Sequence, residues 1–83
     1  MNKIMVIVYV PLLEEEFDVL IPINKKIGVI KQYILDTVFE VTGVRMENKD
    51  DLTLYDKDTG KRLMNDIYVK NSGLVNGTKI LIV

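Results

Sequence analysis

The sequence predicts an α+β domain in which one helix packs on a mixed β-sheet. Two observations carry this. β-Branched runs stand at both ends of the chain, "KIMVIVYV" at 3–10 and "TKILIV" at 78–83, and between them one stretch, from Ile27 to Val41, spaces its apolar residues as a helix does. At 83 residues the chain has material for one domain spanning 1–83, and nearly every apolar residue must enter its core.

The first strand, 3–10, is apolar on both parities, with Ile4, Val6, Val8 and Val10 alternating with Met5, Ile7 and Tyr9, the pattern of a central strand. A turn over 11–15 leads to a second strand, 17–21, with Phe17, Val19 and Ile21 on one side and Asp18 and Leu20 on the other. Strands so close in sequence pair as a hairpin. Pro22 lacks the N–H that a ladder needs and ends the run.

From Ile27 the period changes to that of a helical face, Ile27, Ile30, Ile34, Val38 and Val41, with Lys31, Gln32, Asp36 and Glu40 expected mostly off that face. Asn24 is a candidate cap at its start, and Gly43 suits the position just past its end. So many β-branched residues make a poor helix in isolation, and this one needs a sheet to lie on. A polar connection runs through Asp51 to a short strand at 52–55. The stretch "DKDTGK" at 56–61 is a turn, 62–64 a brief returning strand, and 65–73 irregular with room for one helical turn. Asn76-Gly77 is a strong turn dipeptide ahead of the closing strand, whose Ile80 and Ile82 face opposite to Leu81 and Val83.

A hairpin, a helix and a strand able to pair with the first one make the β-grasp arrangement, ββαββ. Over essentially its whole length the chain resembles ubiquitin, through "FDVLIP" with "IGVIKQYI", Gly43-Val44, "LTL", "GKRL" and "LVNGTKILIV". More narrowly, "VYVP", "FDVLIP" and "NGTKILIV" resemble the small ubiquitin-like proteins of Gram-positive type VII (ESX-like) secretion systems. That resemblance implies a cytoplasmic accessory protein whose partners are the membrane and ATPase components of the machine. Ubiquitin and the sulfur carriers of this fold work through a tail ending in Gly-Gly. Here the pattern stops on the last strand at Val83, so the expectation is a protein that is neither conjugated nor a sulfur carrier, those activities being the alternative.

Composition bears on chemistry. Eleven Lys and Arg stand against twelve Asp and Glu, a net charge of −1, which gives no global field for nucleic acid or anionic lipid. The chain has no Cys and no His, so thiolate nucleophiles, disulfides, the usual general base and the commonest metal ligand are all missing. The opening 13 residues superficially look like a signal peptide, but Pro11 interrupts them, Glu14 to Glu16 follow, and no small-residue cleavage site appears. No stretch reaches the length of a membrane span.

The remaining candidates are weak. Asp56 and Asp58 alternate as in a calcium loop, yet the glycine falls one residue early and Ile67 occupies the twelfth position, where a bidentate Glu is required. A hairpin turn is the better reading. "YDKDTG" also loosely resembles the acidic motif of the PB1 interaction domain, interrupted here by Lys57, Lys61 and Arg62. Lys25, Lys26 and Lys31 read as a solvated patch. No catalytic residue, cofactor or metal ligand is expected, and the domain reads as non-enzymatic. What stands out is the sheet face turned away from the helix. If Ile4, Val6, Val8, Val10, Phe17, Val19, Ile21, Leu52, Leu54, Ile80 and Ile82 face inward, alternation throws Met5, Ile7, Tyr9, Leu20, Thr53, Tyr55, Leu81 and Val83 outward. That set is largely apolar, and the resemblance to ubiquitin, in which the first and last strands are adjacent, implies that Ile7, Tyr9, Leu81 and Val83 are neighbours in a patch that binds a protein or closes a homodimer.

Overall fold

The computed structural model describes residues 2–46 and 49–83. Its elements run β1 Lys3–Val10, β2 Glu15–Pro22, α1 Ile27–Thr42, a 3-10 turn at Lys49–Asp51, β3 Leu54–Asp56, β4 Arg62–Leu63, a second 3-10 turn at Val69–Asn71, and β5 Lys79–Ile82. The five-stranded sheet has the order β2-β1-β5-β3-β4, with β1 and β5 parallel and the other pairs antiparallel. A mixed sheet with one helix across it is the α+β β-grasp architecture expected from the order of the elements.

Alternation decides what the sheet buries. Val6, Val8 and Val10 of β1, Phe17, Val19 and Ile21 of β2, Leu54 of β3, Leu63 of β4 and Ile80 and Ile82 of β5 all point to the helix side and are buried. From α1 they receive Ile27, Ile30, Ile34, Leu35 and Val38, with Val69 and Leu74 closing the end. Ile4 and Leu52, expected inside, are partly buried and pack on this core from its margin.

The helix departs from its predicted stripe at two places. Val41 is exposed at 67%, and in the last turn the buried stripe passes from Val38 to the half-buried Thr42, whose hydroxyl donates back to the Val38 carbonyl. Lys31 is buried at 7% exposure instead of lying on a solvated patch, its stem along the flank of the stripe and its Nζ donating to the Leu52 carbonyl oxygen at 2.6 Å.

The start of α1 is capped from a distance. The residue before it is Lys26, with no side-chain cap; Asn24 stands outside. Instead the Ile27 and Gly28 N–H groups donate to the carbonyls of Ile67 and Asn65 at 2.9 and 3.0 Å, which satisfies orphan donors that a cap would otherwise meet. Gly28 permits this approach, since a Cβ there would lie 3.3 Å from the Asn65 oxygen. At the other end Gly43 takes φ 75°, and its N–H bonds to the Phe39 carbonyl as a C′ glycine does.

Strand limits also shift in explicable ways. Pro22 belongs to β2, opposite Lys3, and is tolerated because β2 is an edge strand whose outer side needs no donor. The turn Asn76-Gly77 does more than reverse the chain. Asn76 Oδ1 accepts the Met5 N–H at 2.8 Å while the Gly77 N–H donates to the Met5 carbonyl at 2.8 Å, so the turn continues the parallel ladder toward the start of β1.

Candidate functional site: the outer sheet face

Six of the eight residues expected outward, Met5, Ile7, Tyr9, Leu20, Tyr55 and Leu81, lie at the outward parity of their strands, and Thr53 and Val83 keep the same parity one residue outside β3 and β5. Met5 pairs with Leu20 at one end, 39% and 54% exposed. At the other end Thr53 and Val83 exchange two backbone hydrogen bonds, at 2.6 and 3.0 Å. Between them Tyr9 sits beside Leu81, and Leu81 beside Tyr55.

The expected neighbourhood of Ile7, Tyr9, Leu81 and Val83 is only partly formed. On β5 the partner of Ile7 is Lys79, and Val83 lies on the Thr53 side, one step beyond Leu81. The face is accordingly less apolar than expected, and charged residues interleave with the apolar ones. Ile7 stands between Asp18 and Lys79, Tyr9 between Glu16 and Leu81, and Tyr55 between Leu81 and Arg62. Ile7, Tyr9, Tyr55 and Leu81 are each half-buried, with the Lys57 ammonium 4.6 Å from the centre of the Tyr9 ring. Lys79 forms an ion pair with Glu16 at 3.9 Å across the strand between them.

Glu16, Lys57, Arg62 and Lys79 therefore belong to the candidate face, and the apolar reading missed them. The signal for them was alternation itself: Glu16 and Asp18 share the parity of Leu20, and Lys79 that of Leu81.

Elsewhere the chemistry-bearing candidates are occupied by structure. In "DKDTGK" the Asp56 carboxylate accepts the N–H groups of Asp58 and Thr59 at 3.0 and 3.3 Å, Gly60 takes φ 74°, and the Asp56 N–H returns to the Lys61 carbonyl at 2.8 Å. That is a hairpin turn built on an Asx side chain. Lys26 and Lys70 both approach the Tyr68 ring, at 5.8 and 5.7 Å. A small cleft of about 50 Å³ lies among Lys61 to Met64, Ile67, Asn71 and Ser72. A wider groove of about 450 Å³ runs along the start of α1 past Val29, Lys31, Tyr33 and Asp50. Among the described residues no group of His, Cys, Asp or Glu is placed to hold a metal, and no helix is long and apolar enough to cross a membrane.

No protein-family model matches the chain, and no curated protein matches it by sequence. Solved structures do match it in fold. The N-terminal ubiquitin-like domain of the 4931431F19Rik protein is 20% identical with a TM-score of 0.72, over 99% of this chain and 74% of that one. The ubiquitin-like domain of the Arabidopsis thaliana protein At2g32350 is 19% identical with a TM-score of 0.71, over 100% and 78%. AtBAG1, solved in complex with HSP70, is 19% identical with a TM-score of 0.70 over 96% of this chain, which spans 39% of that longer one. Identities this low establish the fold, ubiquitin-like, and leave function to the site.

Proposed function

We propose that the chain is one non-enzymatic, ubiquitin-like interaction domain, 1–83, that binds other proteins through the outer face of its sheet. The observation that carries this is the row Tyr9, Leu81 and Tyr55, contiguous half-buried apolar side chains across three adjacent strands, rimmed by charges of both signs. An apolar centre with a polar, chargeable rim is how a protein interface is built, and aromatic side chains are the usual anchors. A structural neighbour of the same fold, AtBAG1, was solved with a protein partner, HSP70. The absence of Cys and His from the sequence favours binding over catalysis.

The finer reading is an accessory component of a type VII secretion system, acting in the cytoplasm with the membrane or ATPase components of that machine. It rests on the resemblance carried by "VYVP", "FDVLIP" and "NGTKILIV". The PB1-like alternative loses support from Asp56, whose carboxylate is taken up by its own turn.

The test is capture of partners from lysate of the native cell on immobilised wild-type protein, Leu81→Lys and Ile7→Lys. Loss of the captured proteins with either folded variant supports the outer face, and recovery of secretion-machine subunits supports the finer reading. An unchanged set of captured proteins on both variants overturns the face as the binding surface.

A further inference from the structure

One row of the outer face has a symmetry that specifies a partner. The pairings Glu16 with Tyr9, Tyr9 with Leu81, Leu81 with Tyr55 and Tyr55 with Arg62 set one residue from each of the five strands side by side, in the order Glu16, Tyr9, Leu81, Tyr55, Arg62. Each lies next in sequence to a buried core residue, respectively Phe17, Val8, Ile80, Leu54 and Leu63, so all five point outward. Across the sheet the row reads acid, aromatic, aliphatic, aromatic, base. It is the complement of its own reverse.

We propose that the outer face binds a second copy of this chain, as a two-fold dimer whose axis lies in the interface and runs along β5 beneath Leu81. This deepens the reading of that face as the binding surface, and rests on it. The operation sets Leu81 on Leu81 at the axis, Tyr9 of each copy on Tyr55 of the other, and Glu16 of each on Arg62 of the other. Two sheets packed this way keep their strands within about 30° of each other, about 10 Å apart, the ordinary geometry of a sandwich. A closed two-fold contact uses the same patch twice, so both crossing ion pairs form together.

The neighbouring row shows what the dimer must accommodate. Asp18, Ile7 and Lys79 lie in line, and the Lys57 N–H donates to the Lys79 carbonyl. The same operation takes Asp18 toward the turn bearing Lys61 and sets Ile7 against the Lys57 stem. It also brings the two Lys79 ammoniums together at the axis, a repulsion softened by the Glu16 carboxylate that each already meets at 3.9 Å. Lys57, now over Tyr9, swings aside for the incoming Tyr55 ring. The other in-plane axis, perpendicular to the strands, is disfavoured, since it sets Glu16 on Glu16 and Arg62 on Arg62. A contact of ordinary size takes about 800 Å² from each copy, out of 5202 Å² in all. With one apolar row at its centre, a dissociation constant on the order of 10 µM is expected.

Sedimentation equilibrium of the full chain from about 5 to 500 µM, a range bracketing that constant, tests the proposal with wild type, Glu16→Arg, Arg62→Glu and an equimolar mixture of the two variants. Both positions are exposed, and circular dichroism is expected to show both variants folded. Wild type is expected to move from the 9.5 kDa monomer toward twice that mass as concentration rises. Each variant alone places like charges at both crossings and should associate at least tenfold more weakly, a change of about 1.4 kcal/mol. The mixture reunites opposite charges at both crossings and should dimerise more tightly than either variant alone, short of wild type because one copy lacks the Glu16 that meets Lys79. Wild type monomeric throughout, single variants that dimerise undiminished, or a mixture that stays monomeric would each overturn the second copy as partner. If the dimer fails in this way while Leu81→Lys still abolishes partner capture, the outer face stands as a binding surface and only its occupant is wrong.

Discussion

The ammonium of Lys31, on the helix, meets the carbonyl oxygen of Leu52, just before β3, at 2.6 Å. This contact pins the second turn of α1 to the far side of the sheet from the hairpin, and it does so from a position that is 7% exposed. A buried ammonium is costly to desolvate, and its net worth depends on what is left behind when it is removed.

Lys31→Met separates these terms. Methionine keeps most of the apolar stem but removes the donor, so the Leu52 carbonyl loses its partner at a cost of ~1–3 kcal/mol. A lower midpoint in urea with an unchanged slope is the expected result. An equal or higher midpoint would show that desolvation of the ammonium outweighs its hydrogen bond.

Ile30 and Ile34 are both fully buried beneath the sheet. Truncating either to alanine should cost ~2–5 kcal/mol, through lost transfer energy and the cavity left behind. For a domain of this size that is a large part of the total stability. Thermal melts within ~0.5 kcal/mol of wild type for both variants would contradict the packing of α1.

Most of the fold was legible because it rests on two periods. Alternation placed Val6, Val8, Val10, Ile80 and Ile82 inward and Ile7, Tyr9 and Leu81 outward; helical spacing placed Ile27, Ile30, Ile34 and Val38. What escaped depends on tertiary pairing. No local pattern says that the α1 N–H groups are met by carbonyls at 65 and 67, or that a lysine beside the helical stripe will find the Leu52 oxygen. The outer face was legible as a set of residues but not as an arrangement. Parity names which side chains face out, whereas only register says that Ile7 lies beside Lys79 and that Glu16 and Arg62 bracket the aromatic row.

The turn at 56–61 makes a prediction about metal. One Asp56 oxygen already receives two backbone N–H groups, and Ile67 stands where a calcium loop needs its bidentate carboxylate. Millimolar calcium should therefore leave the melting temperature unchanged, because only a ligand that binds the native state raises it. A concentration-dependent rise would show that the turn opens to the ion.

The two sides of the sheet should respond oppositely to the same substitution. Ile7 and Leu81 are half-buried on the outer face, whereas Val6 and Ile80, their immediate neighbours in sequence, are fully buried beneath it. A lysine at 7 or 81 can lay its stem along the sheet and keep its ammonium in water, so Ile7→Lys and Leu81→Lys should fold, losing at most ~1 kcal/mol. A lysine at 6 or 80 has no such exit, and Val6→Lys and Ile80→Lys bury an unpaired charge and should unfold the domain. Circular dichroism on the four variants reads this directly. Unfolding by Ile7→Lys or Leu81→Lys, with Val6→Lys or Ile80→Lys tolerated, would mean that the sheet faces the other way. With the folded pair in hand, association and partner capture then become a property of the surface alone, since the core beneath Leu81 is the same in every folded variant.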